Sequence, residues 1–316
     1  MKIGLGRSCR TWRMGVRHKF LLQGYNLATP WLKLRRAFSR HPCMQNVFSE
    51  APREVAVLHL QGADVERFAH AQFASDVRAL PVQRWQWSAW LDAQGRVHAL
   101  LQLARIADTR FLALLRGGDA HALAAALGRF LLRDKLQLTA QRMRLLPGAA
   151  LAMNEAQLQE HSITLGMDTH SWMLCDVQAE SAPAPGITED APRANVWLHE
   201  LRAGWPWLPD AALDALLPPA LGLEHLGAVR FDKGCYPGQE IAARLHFRGG
   251  NKRELVRLRG AAQATEELLR ATPEALQVLL MHRDRANDSV EMLGVLNTSS
   301  AAASAYAALI VARYPA

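Results

Sequence analysis

Cysteine is scarce: the 316 residues include four, Cys9, Cys43, Cys175 and Cys235, with no CxxC spacing. That excludes a disulfide framework and fits a reducing compartment. Only Cys175 and Cys235 fall in the body of the chain, short of the four thiolates an iron–sulphur cluster usually takes, so a permanent cluster held by this body alone is excluded. No run of 18 apolar residues occurs, so the sequence offers no membrane span. Also missing are a P-loop, a G-x-G-x-x-G element, a G-x-S-x-G elbow, an HExxH zinc pair and any internal repeat. Aromatic residues are 7% of the chain and hydrophobic residues 50%. That is ordinary for a soluble globular enzyme, and the length suffices for two or three compact units sharing a buried interior.

Acidic residues are absent from positions 1–43, which hold ten of the 37 Lys and Arg residues. Three readings fit this basic leader: a transit-type targeting segment, a basic arm for a membrane or nucleic acid, or an over-long gene start with Met44 as the first residue. The remaining residues carry 27 basic against 29 acidic side chains, so the formal charge of +8 belongs to the leader. Without a surplus of Lys and Arg, the folded body is expected to bind no nucleic acid directly, and no membrane. A cytoplasmic monomer is expected, or a mitochondrial-matrix protein if the leader is a transit segment.

Periodicity divides the chain into the leader (1–43), an α+β region (44–250) and a small β-rich unit (251–316) expected to close as a barrel. Glu54–Leu60 alternates as a strand and Gly62 breaks it. A helix opens at Asp64, sets Val65, Phe68, Ala69 and Phe73 on one side and stops by Pro81. Arg84–Leu91 and Arg96–Leu103 read as a hairpin around Asp92-Ala93-Gln94-Gly95. Asp119 caps a helix burying Leu123, Leu127, Phe130 and Leu131. Leu136–Ala140 reads as a short strand and Ala179–Pro192 as a connection. Glu254–Leu258, Leu276–Met281, Ser289–Leu296 and Tyr306–Arg313 supply the C-terminal strands.

The chemically loaded stretch is 231–254, Phe-Asp-Lys-Gly-Cys-Tyr-Pro-Gly-Gln-Glu-Ile-Ala-Ala-Arg-Leu-His-Phe-Arg-Gly-Gly-Asn-Lys-Arg-Glu. Gly234 and Gly238 flank Cys235, and Pro237-Gly238 suits the centre of a type II turn. A short helix over Gln239–Phe247 would follow. A cysteine ahead of a helix N-terminus, with Lys233 nearby, favours thiolate over thiol, the form that attacks electrophiles or binds metal. The alternative is a small apolar filler, the usual fate of a free cysteine. Cys175, among apolar neighbours, reads as core. Tryptophans cluster at Trp85, Trp87 and Trp90 and at Trp197, Trp205 and Trp207. Such flat walls suit either a ring-shaped ligand or core packing. His199 and His246 read as structural or solvated.

The run K-G-C-Y-P-G-Q-E, with H-F-R-G-G-N-K-R-E-L downstream, resembles the signature of the YgfZ-like folate-binding family, relatives of the glycine-cleavage T-protein. Looser likeness extends to Leu60-Gln61-Gly62, the Asp92–Arg96 turn, Leu201-Arg202-Ala203-Gly204-Trp205-Pro206 and the C-terminal strands. The resemblance implies ferredoxin-like α+β units around a central folate channel, plus the barrel. It implies Cys235 as the functional residue, with Lys233 beside it and Gly234, Tyr236, Gly238, Gln239 and Glu240 shaping the loop. Tetrahydrofolate or a derivative would bind near Trp197, Trp205, Arg202, Tyr236, Gln239 and Glu240, and no metal is expected. Partners would be iron–sulphur enzymes met transiently during assembly or repair, tRNA methylthiolating enzymes among them. Arg202 stands where relatives commonly carry an acidic residue. Two alternatives follow: a folate-dependent one-carbon transferase of the aminomethyltransferase type, and a folate-free interaction module.

Overall fold

A computed structural model describes residue 47 and residues 50–177 and 190–315. The leader, Cys9, Cys43 and most of the Ala179–Pro192 connection lie outside the described residues. Among the described residues, twelve strands form two antiparallel sheets. The larger has eight strands: β1 (Glu54–Gln61), β2 (Arg84–Leu91), β3 (Val97–Ala107), β4 (Arg110–Leu115), β5 (Gln137–Gly148), β6 (Ala156–Leu158), β7 (Ser162–Gly166) and β8 (Ser171–Asp176). Their order is β2-β3-β4-β1-β5-β8-β7-β6, so β1 lies near the middle.

The edges of this sheet meet. Arg84 bridges Glu155, the Trp85 amide donates to the Asn154 carbonyl at 2.8 Å, and the Ala156 amide donates to the Gln83 carbonyl at 2.9 Å. The sheet therefore curls back on itself, which removes exposed edges at that point. β1 shows why: its alternation sends Val55 and Val57 to one core and Ala56, Leu58 and Leu60 to another. Both faces of a strand with apolar residues at successive positions must be covered. The outer face is covered by α1 (Val65–Gln72) and α2 (Ala120–Gly128). The inner face is filled by Trp85, Trp87, Trp172 and residues of α3 (Asp190–Ala203).

Asp119 accepts a hydrogen bond from the Ala122 amide at 2.8 Å, the expected cap of α2. This helix ends at Gly128, so Phe130 is 45% exposed and Leu131 half-buried instead of extending the buried stripe. Strands β4, β6, β7 and β8 and helix α3 escape the pattern analysis.

The C-terminal sheet runs β10-β11-β9-β12, with β9 (Arg253–Ala261), β10 (Leu276–Asp284), β11 (Ser289–Asn297) and β12 (Ile310–Arg313). Its described pairings form an open ladder with no pairing between β10 and β12, not the expected barrel. An unexpected helix, α5 (Ala262–Ala271), and a 3-10 turn at Ala301–Tyr306 cover it. Of the expected strand Tyr306–Arg313, the 3-10 turn takes Tyr306 and a further turn takes residues 307–309, leaving β12 only four residues.

Candidate functional site

The cysteine loop is built from both ends. On its N-terminal side the Arg230 amide donates to the Ala74 carbonyl at 2.9 Å. Lys233 then forms a clasp with α1. Its ammonium donates to the carbonyls of His70 and Phe73, each at 2.5 Å, while His70 Nε2 meets the Lys233 carbonyl at 2.9 Å. Carbonyls at the end of a helix have no partner within it, and a lysine is well suited to them. Lys233 thus spends its ammonium on α1, where sequence reasoning had placed it beside the sulphur. Its burial depresses the amine to a pKa of about 8.

On the C-terminal side stands the expected turn. The Gln239 amide donates to the Tyr236 carbonyl at 3.3 Å, and Gly238 has φ +75° and ψ −1°, the third-position geometry of a type II turn. The turn is also tightly packed. A Cβ on Gly238 would lie 2.4 Å from the Asp92 carbonyl oxygen, so the hairpin turn 92–95 sits directly against it. Helix α4 (Gln239–Arg248) starts there, close to the predicted span. Between clasp and turn, Gly234 takes φ +106° and Cys235 is exposed. Cys175, by contrast, is 3% exposed on β8, and burial pushes its thiol pKa up.

Residues 236–241 line a cleft of about 680 Å³, together with Trp90, Leu91, Asp92, His98, Arg129 and Phe130. Tyr236, Gln239 and Glu240 are thereby brought together. The indole nitrogen of Trp90 and the hydroxyl of Tyr236 are both buried with no hydrogen-bond partner among the described residues. Burial raises the Tyr236 hydroxyl above the ordinary tyrosine range, with Glu224 adding to the effect. His98, at the rim, holds Asp214 through Nδ1 at 2.6 Å. Trp90, His98 and Phe130 form a chain of edge-to-face contacts at 4.9 and 6.3 Å. Sequence reasoning noted Trp90 only as one of a cluster and assigned Phe130 to the core. The early end of α2 is what frees Phe130 for the cleft.

The other expected ligand residues lie elsewhere. Trp197 is 1% exposed on α3 and donates its indole N–H to the Met281 carbonyl at 3.2 Å, so it packs as a core wedge against β10. Arg202, at the end of α3, forks onto Glu291 of β11 with contacts of 2.9–3.3 Å. Trp205 is half-buried among Trp87, His170 and His199, with ring centroids 6.1–6.2 Å away. In that group the Nε2 atom of His170 is buried with no partner among the described residues, and burial lowers the imidazole pKa.

Glu200, two residues before Arg202, anchors a node that sequence reasoning did not find. Its carboxylate accepts from Arg116 at 3.0 and 2.9 Å, from the Trp172 indole at 2.7 Å and from the Trp207 indole at 2.8 Å. Arg116 also donates to Gln102 and to the carbonyls of Pro206 and Trp205, and lies 3.9 Å over the Trp207 ring. Both charged side chains are 0% exposed. Burial pushes the Glu200 carboxyl up, but Arg116 and the two indoles override it and hold it below the ordinary range. A lone Arg after an apolar strand gives no sequence signal for such a partner.

No family model matches the chain. It is 27% identical over 238 residues to the tRNA-modifying protein YgfZ of Edwardsiella ictaluri, covering 67% of this chain and 72% of that protein. With the protein of the same name from Shigella boydii it shares 29% over 234 residues, with the same coverage. In structure it is similar to the glycine cleavage system aminomethyltransferase T of Bartonella henselae, with a TM-score of 0.53 and 14% identity over 79% of this chain and 78% of the other. The chain is thus similar to the YgfZ proteins over two thirds of its length and carries the aminomethyltransferase T-protein fold.

Proposed function

We propose that this protein is a folate-binding accessory factor in the assembly or repair of iron–sulphur enzymes, with tRNA methylthiolating enzymes among its clients and Cys235 as its reactive group. The relatives' name, tRNA-modifying protein, supports the client class. The observation that carries the reading is an exposed thiol fixed between the Lys233 clasp and a type II turn, with the next six residues lining a cleft. Such a cysteine is presented to a partner and oriented at the same time. Its thiolate would contact a partner's labile cluster or a sulphur or alkyl species.

The cleft suits a folate ring better than the Glu200 node does. Its walls are aromatic, and the unpaired Trp90 N–H and Tyr236 O–H leave hydrogen-bonding capacity that burial makes costly, about 1–3 kcal/mol each. Tyr236, Gln239 and Glu240 would hold the folate there, with Trp90 as a wall. Glu200 is saturated by protein partners and Arg202 is engaged by Glu291, so neither is free for a pterin edge. A bound folate would supply a carrier for one-carbon units. The chain's part is to exclude water from the ring and keep Cys235 accessible.

Replacing Cys235 with Ala is expected to leave folding intact and to abolish restoration of tRNA methylthiolation in a strain lacking the protein; full restoration would remove the thiol from the mechanism. The occupied state of Glu200 and Arg202 also favours a second reading, a folate-free interaction module. Titration with tetrahydrofolate separates the two: saturable quenching of tryptophan fluorescence, weakened in Trp90→Phe and Tyr236→Phe, is expected of the first and absent from the second.

A further inference from the structure

Outside the residues that line the cleft, an aromatic and cationic surface has no role in the reading above. The rings of Phe231, His246 and Phe247 form one cluster. Phe231 stacks on His246 at 4.7 Å, and Phe247 meets His246 edge-to-face at 4.5 Å and Phe231 at 6.1 Å. Phe247 is 73% exposed, so folding gains little from it. Phe231 and Phe247 flank a second hollow of about 420 Å³, lined also by Glu224, Val229, Arg230 and Asp232.

Cations lie close to this cluster in sequence. From residue 241 to 253 the chain carries Arg244, Arg248, Lys252 and Arg253 and no acidic residue, and all four are exposed. Arg244, Phe247 and Arg248 share one side of α4 through spacings of three and four residues. Glu240 lies at the opposite end of the helix. Nearby acids are already engaged, Glu224 with His246 at 2.7 Å, Asp232 with Arg230 at 2.8 Å and Glu254, next to Arg253, with Arg313. Beyond the helix the backbone is held in place. The Lys252 carbonyl accepts from the Thr298 amide at 2.9 Å and hydroxyl at 3.0 Å, and Asn251 braces the amide of Arg253 at 3.2 Å.

We infer that this surface binds a single-stranded segment of nucleic acid, with bases against Phe247 and Phe231 and phosphates along Arg244, Arg248, Lys252 and Arg253. Exposed rings set among unpaired cations are the recurring means of holding a single strand: bases stack and phosphates release counterions. Position on α4 accounts for part of the positive charge, since cations favour a helix C-terminus. It does not account for the exposed phenyl ring or for Lys252 and Arg253 beyond the helix. The near-neutral body had argued against nucleic acid, but a whole-body sum conceals a local excess. This inference stands independently of folate and of the thiol.

The test uses the full chain, with binding followed by anisotropy of fluorescein-labelled 12-nucleotide RNA and DNA single strands and a 12-base-pair RNA duplex. Single strands are expected to bind more tightly than duplex, with a salt dependence of log K on log salt of about −3 for four cations. Comparing RNA with DNA identifies which sugar is preferred, and either preference supports the site. Phe247→Ala should weaken binding about tenfold. Arg244→Gln/Arg248→Gln should lower the salt slope by about 1.4. Thermal unfolding and tetrahydrofolate titration should be unchanged in both variants. Binding that survives both variants would place it on the basic leader and overturn the inference. So would equal affinity for the duplex, or binding of poly-glutamate with none of either nucleic acid, which would mark the surface as a dock for acidic protein.

Discussion

At the Arg116–Glu200 node both charged groups are sealed from water and bonded on all sides, whereas at the Cys235 loop the reactive atom is exposed and the scaffold around it does the bonding. The two regions use polar groups in opposite ways. In the node, charge is spent on structure: Arg116 at the end of β4 joins Glu200 of α3, and the indoles of Trp172 on β8 and Trp207 complete the join. In the loop, a lysine and a glycine turn fix the backbone and leave the thiol free. A carboxylate among tryptophans is therefore not by itself a ligand group. Whether its oxygens are already satisfied decides that.

The sharpest way to break this contrast is Glu200→Ala. It leaves the Arg116 guanidinium buried and unpaired, and unfolding measurements should show a loss of about 3–5 kcal/mol. An exposed, ligand-facing glutamate would show a loss near zero. A smaller effect is expected from Gly238→Ala. There the new Cβ meets backbone at 2.4 Å and the residue must hold φ +75°, so about 2 kcal/mol should be lost, with altered reactivity of Cys235 towards iodoacetamide. Unchanged thiol reactivity would mean that the turn does not orient the sulphur.

A third test is a pH dependence at the clasp. Folded Lys233 gives up its proton near pH 8, while in the unfolded chain it keeps it to about pH 10.5. The unfolded state binds more protons in that window, so stability should rise between pH 8 and 10.5 relative to Lys233→Met. A flat difference would mean that the ammonium reaches solvent.

Much of the loop was legible in advance because its signals are local. Pro237-Gly238 dictates a type II turn, and the apolar spacing after it dictates α4. Asp92–Gly95 likewise dictated the first hairpin, and Asp119 the start of α2. The misreadings have both local and long-range causes. Phe130 fitted the α2 stripe but fell outside it when the helix ended at Gly128. Strands β7 and β8 gave only weak alternation because they complete a curled sheet, in which pairing with β5 and β6 replaces local propensity.

The amino-acid order alone determined that Cys235 sits between two glycines in a turn before a helix, since backbone torsions and side-chain spacing are properties of neighbours. Only the tertiary structure decided that Lys233 turns to the end of α1, that Trp197 and Glu200 are sealed in the core, and that Tyr236, Gln239 and Glu240 meet Trp90 and Phe130 across a cleft. Those outcomes depend on which distant groups packing brings to a given carbonyl or carboxylate. Burial favours such pairings, because an unpaired polar group away from water costs free energy.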